Sequence, residues 1–595
     1  MFRRSNPQGS LFQTSELLPD DKRQRLEGTW AWQFRTQALP LIDEELFREL
    51  YCADNGRPNK PVQTVVGVLV LKEMFDLTDE DTLASVDFDL RWQAALNLTP
   101  EAAHCCQKTL HNFRAKLLGN DKAKLLFAQM TAGMLKGLGV SAERQRLDST
   151  HITSNIARLT RLGLFCETVR VFLRTLQQAL PEQLARVPAA LRGRYLQDDG
   201  SETRYHDAKS AEAPRRLRVC ARDVYRLVER FRAEESVLAL PAFGVLMRLF
   251  LEQCELNVQA PAPEADDADA REAVVPVQLK ESAMVSPASL QSPHDIDVTY
   301  SGHKGKGFEV QIAETVGNGE KPELLTHVEV TPACKSDEAA TVPVVEALAE
   351  RALQPQELVA DTNYGSTENA LVCAERGTEL VTPVSGVAGA AAQEQEQLAG
   401  FEIGLKAEQP VCCAAGHTAE SQERAEPSGR IVARFSRLHC AQCPLKRQCP
   451  AQRLPNGTRE LRTSLREYTL ARRRAYEQTE EFRKRYAWRA GIEATNSELK
   501  RAHGMGLLRV RGGARVKLAV YFKALACNVK RMVRYLAEAA RKAAQLAAAA
   551  QKAAQLAAAA QDAGVAAIFG PAWPSAALRR DIDKKPVFRP LALAA

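Results

Sequence analysis

Four polar side chains between residues 486 and 500 have the chemistry needed to act on a phosphate group. The segment KRYAWRAGIEATNSELKRAHG (484–504) predicts a helix. Helical geometry then aligns, on one stripe about 20 Å long, the side chains of Tyr486, Arg489, Glu493 and Lys500. A carboxylate between cations suits a metal ligand flanked by groups that bind phosphate. The same spacing also fits an exposed Arg489–Glu493 ion pair, which contributes only about 0.2–0.5 kcal/mol, so the residues alone leave both interpretations open.

Positive charge is concentrated in the same part of the chain. Residues 466–534 contain 18 Lys and Arg against 6 Asp and Glu, a net charge of +12. The whole chain carries +7, so the remainder carries −5. A local excess of cations favours a polyanionic partner, and a solvated helical surface is the alternative interpretation.

Length and composition exclude several classes of protein. The chain has 595 residues, of which 45% are apolar and 26% charged, as in multidomain globular proteins. Its most apolar run, VVGVLVL at 65–71, is too short to span a membrane, and the N-terminal MFRRSNPQGS lacks the apolar core of a secretion signal. Fourteen cysteines are too few for a disulfide scaffold of this length. We therefore expect a cytoplasmic protein in a reducing compartment.

Two kinds of periodicity predict the elements that must position these side chains. Residues 1–140 show the helical spacing of apolar residues. Strand patterns appear after about residue 295, at 308–316, 327–330, 357–366 and 378–384. A helical pattern at 342–353 lies between them, and strands interleaved with helices predict a mixed α/β domain. Near the C-terminus, 542–561 is KAAQLAAAAQ written twice, which predicts an Ala-rich helix or a frayed tail.

A cysteine cluster separates the last predicted strand from the basic region. The spacing Cys-x26-Cys-x2-Cys-x5-Cys is formed by Cys413, Cys440, Cys443 and Cys449. A Cys-x2-Cys pair with two further cysteines is typical of a closed, four-coordinate structural zinc site. Cys412 and His417 are alternative first ligands, and a set of free thiols is the alternative without metal.

The pattern Tyr-x2-Arg-x3-Glu-x6-Lys resembles the motif of bacterial insertion-sequence transposases of the DDE class, and this chain matches all four positions. Two other segments resemble the same family. RLDSTHITSN places Asp148 and Thr150 in an Asp-x-Thr context, and LVADTNYGS places Asp361 after a short apolar strand. The similarity covers roughly residues 10–165 and 290–536.

The resemblance implies a ribonuclease-H-like mixed sheet with flanking helices. Its three catalytic carboxylates, which would hold Mg²⁺ or Mn²⁺ ions, are Asp148, Asp361 and Glu493. The side chains that would contact double-stranded DNA are Tyr486, Arg489, Lys500 and Thr150. The implied activity is binding of the terminal inverted repeats of an insertion sequence, cleavage at its ends and strand transfer to target DNA by two-metal phosphoryl transfer. A homodimer is expected in the synaptic complex, because two DNA ends must meet.

On this basis the chain divides into an N-terminal helical DNA-binding domain, a core in three segments, two insertions and a tail. The expected boundaries are 1–140 for the N-terminal domain, 141–165, 291–384 and 465–540 for the core, 166–290 for a helical insertion and linker, 385–464 for the cysteine-rich insertion and 541–595 for the Ala-rich tail. The first insertion is required by the separation of 213 positions from Asp148 to Asp361.

Some alternatives stay open at this point. ERQRLDST is more polar than is usual for a buried strand, and the rival carboxylates Asp295 and Asp297 in HDIDVTY could replace Asp148. A metal-dependent nuclease on the same fold, or a catalytically inactive DNA-binding derivative, would have a similar sequence.

Overall fold

The computed structural model describes residues 2–5, 17–52, 56, 58–197, 203–207, 209, 211–256, 276–385, 397–404, 408–425 and 429–562. The linker of the predicted 166–290 insertion is the Pro-, Ala- and Asp-rich segment 260–273, which lies outside the described residues, as does the tail after residue 562. Within the described part of the chain, no helix combines the length and the apolar character needed to cross a membrane.

A six-stranded mixed sheet forms the centre of the molecule. The strands in chain order are β1 (Arg144–Ile152), β2 (Cys254–Leu256), β3 (Val277–Leu279), β4 (Thr299–Ser301), β5 (Gly305–Thr315), β6 (Leu325–Pro332), β7 (Glu357–Ala360), β8 (Glu379–Val381), β9 (Ser421–Ala425), β10 (Arg430–Phe435), β11 (Gln452–Arg453) and β12 (Arg459–Ser464). The central order is β6-β5-β1-β7-β8, and β4 pairs with the start of β5. β5 is antiparallel to β1 and β6, whereas β7 is parallel to β1 and β8 is parallel to β7. The four predicted strands are confirmed, and so is the mixed α/β class.

Helices cover the sheet and form most of the remaining chain. The N-terminal ones are Asp20–Glu27, Trp30–Gln33, Val62–Phe75, Asp79–Phe88, Leu90–Ala95, Gln107–Leu117 and Lys122–Leu138. Between β1 and β4 they are Arg161–Ala179, Pro181–Ala185, Ala189–Tyr195, Ala213–Phe231, Glu235–Leu238 and Pro241–Gln253. The later ones are Thr341–Ala349, Thr367–Glu375, Arg437–Gln442, Leu465–Glu477, Glu480–Tyr486, Gly491–Ala502 (the site helix) and Gly513–Asp562 (the terminal helix).

β1 lies in the middle of the sheet although its sequence is polar. Arg146 is buried, and its Nε donates a hydrogen bond to Oε1 of Glu314 at 2.7 Å. Its Nη1 donates to the carbonyl oxygen of Trp488 at 2.9 Å. The amide of Gln145 donates to the carbonyl oxygen of Leu353 at 2.7 Å. Buried polar groups are tolerated when they are paired, and here the partners lie far away in the sequence.

The N-terminal helices and the central sheet share one hydrophobic core, which the terminal helix completes. Asn528 of the terminal helix is fully buried, and its amide donates to Oγ1 of Thr131 at 3.2 Å and to the carbonyl oxygen of Leu325 at 2.8 Å. One side chain therefore joins an N-terminal helix to strand β6. The expected boundary at residue 140 separates two parts of the sequence, but the core is continuous across it.

The helices between β1 and β4 pack around a core of their own. The ring of Phe172 lies 5.8 Å from that of Phe231 and 5.7 Å from that of Phe243. The hairpin β2-β3 adjoins this bundle, and the antiparallel sheet β11-β12-β10-β9 forms the cysteine-rich region. The helical character predicted for the first part of 166–290 is confirmed up to Gln253, after which the hairpin β2-β3 follows.

One helix prediction needs correction. The single helix expected over 484–504 is wrong, because a 3₁₀ segment, Ala487–Ala490, separates the helix Glu480–Tyr486 from the site helix. Of the two structures predicted for 542–561, the helix is the one present, and it continues the terminal helix.

Candidate active site

Strand pairing brings two of the predicted carboxylates together. β1 and β7 run parallel, and Leu147 is the register partner of Ala360. Asp148 and Asp361 follow these two residues, so they are neighbours across the strands and project from the same face of the sheet. At Asp361 the chain leaves the sheet, and its carboxylate accepts a hydrogen bond from the backbone N–H of Asn363 at 2.8 Å.

Arg489 connects this pair to the third predicted carboxylate. Its Nη2 lies 3.7 Å from Oδ1 of Asp148, and its Nη1 lies 3.1 Å from Oε1 of Glu493. Asp148 retains 12% side-chain exposure, whereas Glu493 is 68% exposed. The site therefore has a buried aspartate at its base and an exposed glutamate at its rim, with one guanidinium between them.

The 3₁₀ segment before the site helix sets the position of Arg489. The carbonyl oxygen of Trp488 in this segment accepts the hydrogen bond from Arg146, which fixes the segment against β1. A Cβ at position 491 would overlap the guanidinium of Arg146, so glycine is required at Gly491 for this close approach. The break that sequence periodicity missed is thus held by a buried side chain of the central strand.

Asn496 is a site residue that the sequence reasoning missed. Its Nδ2 donates to Oδ2 of Asp148 at 3.0 Å, while its own Oδ1 is buried without a hydrogen-bond partner among the described residues. Asn496 follows Glu493 by three residues on the site helix, which places the two side chains on one face. This three-residue spacing from Glu493 is the sequence signal that could have identified Asn496 as a site residue.

Burial raises the pKa of one carboxyl group of the site. The pKa of Asp148 is raised to about 6, chiefly because burial disfavours the charged carboxylate. The negative charges of Asp361 and Asp337 act in the same direction, and Arg489 opposes them. Asp337, a second residue that the sequence reasoning missed, accepts a hydrogen bond from the amide of Gln311 at 3.2 Å.

The predicted DNA contacts differ in their exposure. Tyr486 is half-buried and stacks on Phe482 with ring centroids 5.4 Å apart, and its pKa is raised by burial, opposed by Arg489. Lys500 lies close enough to Asp148 and Glu309 for their charges to act on it, although burial lowers its pKa. Thr150, by contrast, is buried within β1.

The rival carboxylates are used elsewhere. Asp295 accepts hydrogen bonds from Oγ of Ser154 at 2.6 Å and from the backbone N–H of Gly512 at 2.9 Å. Asp297 accepts a hydrogen bond from the N–H of Gly513 at 2.8 Å. Both carboxylates hold the start of the terminal helix.

The four predicted zinc ligands line one small cavity of about 20 Å³, together with His417 and His439. A tight turn brings His417 next to Cys413, whose N–H donates to the carbonyl oxygen of His417 at 2.9 Å. Cys412 lies outside this cavity, and its Sγ is 3.5 Å from Oγ1 of Thr418. Of the two alternative first cysteines, the structure therefore favours Cys413.

Two regions of the chain match models of known protein families. Residues 412–533 match the family model described as a transposase DDE domain, and residues 23–116 match the transposase domain DUF772. The first match includes the cysteine cluster and the site helix, and the second lies in the N-terminal helices. The resemblance to insertion-sequence transposases of the DDE class is thereby confirmed. No curated protein and no solved structure matched the chain.

Proposed function

We propose that the protein is a DNA transposase that binds the terminal inverted repeats of an insertion sequence, cleaves at its ends and joins them to target DNA. The observation that carries this proposal is the contact of Arg489 with both Asp148 and Glu493, next to Asp361. Asp148 and Glu493 lie 345 positions apart in the sequence, and their shared contact with Arg489 supports a common cation-binding site with Asp361.

The donor groups fit divalent Mg²⁺ or Mn²⁺. Both ions prefer carboxylate and amide oxygens, and the site offers these from Asp148, Asp361, Glu493 and the unpartnered Oδ1 of Asn496. A buried carboxylate whose pKa is raised gains more from a cation than a solvated one does. When bound, two such ions activate the attacking oxygen and stabilise the leaving oxygen of an in-line displacement at phosphorus.

The protein side chains have separate tasks in this proposal. Asp148 is fixed by Asn496 and gives the site a rigid base, whereas exposed Glu493 can adjust as DNA enters. Arg489 and Lys500 bind the phosphate backbone, and Tyr486 packs beside it. Thr150 is too buried to contact DNA directly, so we propose that it supports the packing of β1 instead of the predicted contact with DNA.

The architecture supports the same proposal. An antiparallel trio, β6-β5-β1, continued by the parallel strands β7 and β8, is the arrangement expected of a ribonuclease-H-like core. The excess of cations in 466–534 surrounds the site helix. The N-terminal helices, which match a transposase domain, bind the element ends, and a homodimer joins two ends in the synaptic complex.

The test uses DNA from the ends of the element that encodes the protein. Glu493→Gln should reduce cleavage at least about 100-fold, since changes at groups that only orient a metal ligand already cost about 10- to 100-fold. Binding to the DNA ends should stay unchanged. The matched control is Glu480→Gln, which changes another exposed glutamate that forms an i,i+4 ion pair, here with Lys484.

The same assay separates the alternatives. Supplied with pre-cut ends, a transposase joins them to target DNA, whereas a metal-dependent nuclease only cuts. A protein that binds the ends but neither cuts nor joins would be an inactive derivative. Cleavage retained by Glu493→Gln would overturn the proposed role of this residue.

We also propose that Cys413, Cys440, Cys443 and Cys449 bind a structural zinc ion. The four residues line one cavity, and four thiolates would leave no position open for catalysis. Metal binding would join the turn at Cys413 to the segment that contains Cys440, Cys443 and Cys449. It would thereby fix the small β9–β12 sheet beside the helix Leu465–Glu477.

A further inference from the structure

A second group of metal-binding side chains lies behind the candidate active site. Glu498 of the site helix, His503 just after it and Cys527 of the terminal helix each offer a donor atom, and these atoms lie within 4.8 Å of one another. They are the one such set of three among the described residues. His503 and Cys527 are fully buried.

The hydrogen bonding of His503 leaves one ring nitrogen free for a metal. Its Nδ1 lies 2.9 Å from the carbonyl oxygen of Glu73. A carbonyl oxygen can only accept, so Nδ1 carries the proton and Nε2 of the neutral ring is a bare acceptor. Nε2 is buried and has no hydrogen-bond partner among the described residues. A histidine that donates one N–H to a carbonyl and presents the other nitrogen is arranged as metal-ligating histidines are.

The charges around the cluster allow a dication. Arg531 donates both of its hydrogen bonds with Glu498 to Oε2, at 3.0 and 2.8 Å, which leaves Oε1 available. Arg531 is also paired with Glu314, and Lys523 with Glu73. Arg531 and Lys523 therefore each have a carboxylate partner outside the cluster, whereas Lys530, whose charge also acts on Glu498 and Cys527, donates to the carbonyl oxygen of Met74. One carboxylate and one thiolate neutralise a dication, and the thiol proton leaves to solvent when the metal–sulfur bond forms.

We propose that Glu498, His503 and Cys527 bind a zinc ion that fastens the site helix to the terminal helix. Sulfur, imidazole and carboxylate together select zinc over magnesium. Three protein ligands leave a fourth position for water. Glu498 supplies the route of entry, because it lines an open cavity of about 420 Å³ together with Arg146 and Arg531. This site is independent of the DNA chemistry, since it is built from residues that do not touch the three catalytic carboxylates.

The test measures zinc bound to the full-length protein by mass spectrometry after removal of loosely bound metal. Cys527→Ala and His503→Gln should each lose one zinc ion per chain relative to the wild type. The matched control is Cys373→Ala, which removes another fully buried thiol and should lose none. Because the four-cysteine cluster is intact in all three variants, any zinc held there cancels in the comparison.

A second measurement distinguishes loss of the metal site from misfolding of the variant. Substituting Co²⁺ for zinc should give a thiolate-to-cobalt absorption band that weakens in Cys527→Ala, while circular dichroism shows that the variant keeps its helices. Unchanged zinc content and an unchanged cobalt spectrum in the folded Cys527→Ala and His503→Gln proteins would overturn the proposal.

Discussion

Replacing Asp148 by asparagine should stabilise the metal-free protein while it abolishes activity. The pKa of Asp148 is about 6 in the folded chain, against an ordinary 3.8. One pKa unit corresponds to about 1.4 kcal/mol, so the ionised carboxylate costs the folded state about 3 kcal/mol. Asparagine has nearly the same shape, can still accept the hydrogen bond from Asn496 and carries no charge. Relaxation of the site lowers the expected gain to about 1–3 kcal/mol.

The pH dependence of this stability difference shows whether the charge of Asp148 causes it. Below about pH 4 the carboxyl group is protonated in both states and costs nothing. Between about pH 4 and 6 the folded protein still holds a proton that the unfolded chain has released, so the wild type loses stability as the pH rises through this window. The advantage of Asp148→Asn should therefore be near zero at about pH 4 and reach its plateau above about pH 6.

Urea denaturation in the presence of a chelator, at several pH values, measures this difference. Asp207→Asn, a change at an exposed aspartate, is the control for the substitution itself. Added Mg²⁺ should stabilise the wild type at neutral pH and leave Asp148→Asn unchanged, because only the native carboxylate site binds the ion. An asparagine variant that is less stable than the wild type, or whose advantage does not depend on pH, would refute this account of the site.

Three further predictions concern the surroundings of the site. Arg146→Met should destabilise the fold by about 3 kcal/mol or more, because it removes a buried guanidinium that pairs with Glu314 and Glu323. Arg232→Met at an exposed ion pair should cost less than about 1 kcal/mol, and equal losses in denaturation would contradict this prediction. Arg489→Ala should move the acidic limb of the cleavage pH profile to higher pH, because the guanidinium lowers the pKa of Asp148. Arg489→Lys should reverse part of this shift. An unmoved profile would show that the contact is not electrostatic. Cys440→Ser should remove one zinc ion per chain and Cys412→Ser none, and equal zinc contents would rule out the four-cysteine site.

The sequence predicted the elements whose signals are local. Apolar alternation in β5 and the short apolar run of β7 are visible in a few residues, and Asp361 follows directly from the end of β7. β1 was harder to assign, because its burial depends on Glu314 and Trp488, which lie 168 and 342 residues away. No pattern of residues within ERQRLDST indicates that its polar side chains have these partners.

The same reason explains the missed parts of the site. The interruption of the helix at Ala487–Ala490 is stabilised by Arg146 from another element, and its own sequence contains no proline that would announce it. Asn496 lay on the expected helical face, but nothing local connects it with Asp148. The shared core of the N-terminal helices and the sheet depends on Asn528 and its neighbours in the terminal helix, which sequence order places at the opposite end of the chain.

The terminal helix has a mechanical consequence. Its first half is clamped in the core, so the costly nucleation step is already complete and the alanine-rich second half can extend at little cost. From Lys542 to Asp562 the side chains whose burial is described are almost all solvent-exposed, and at 1.5 Å per residue this arm is about 30 Å long. The arm is a rigid extension, which holds Asp562 at a set distance and direction from the body of the protein. Changing the number of ten-residue repeats would lengthen or shorten that reach by about 15 Å at a time without disturbing the packed interior.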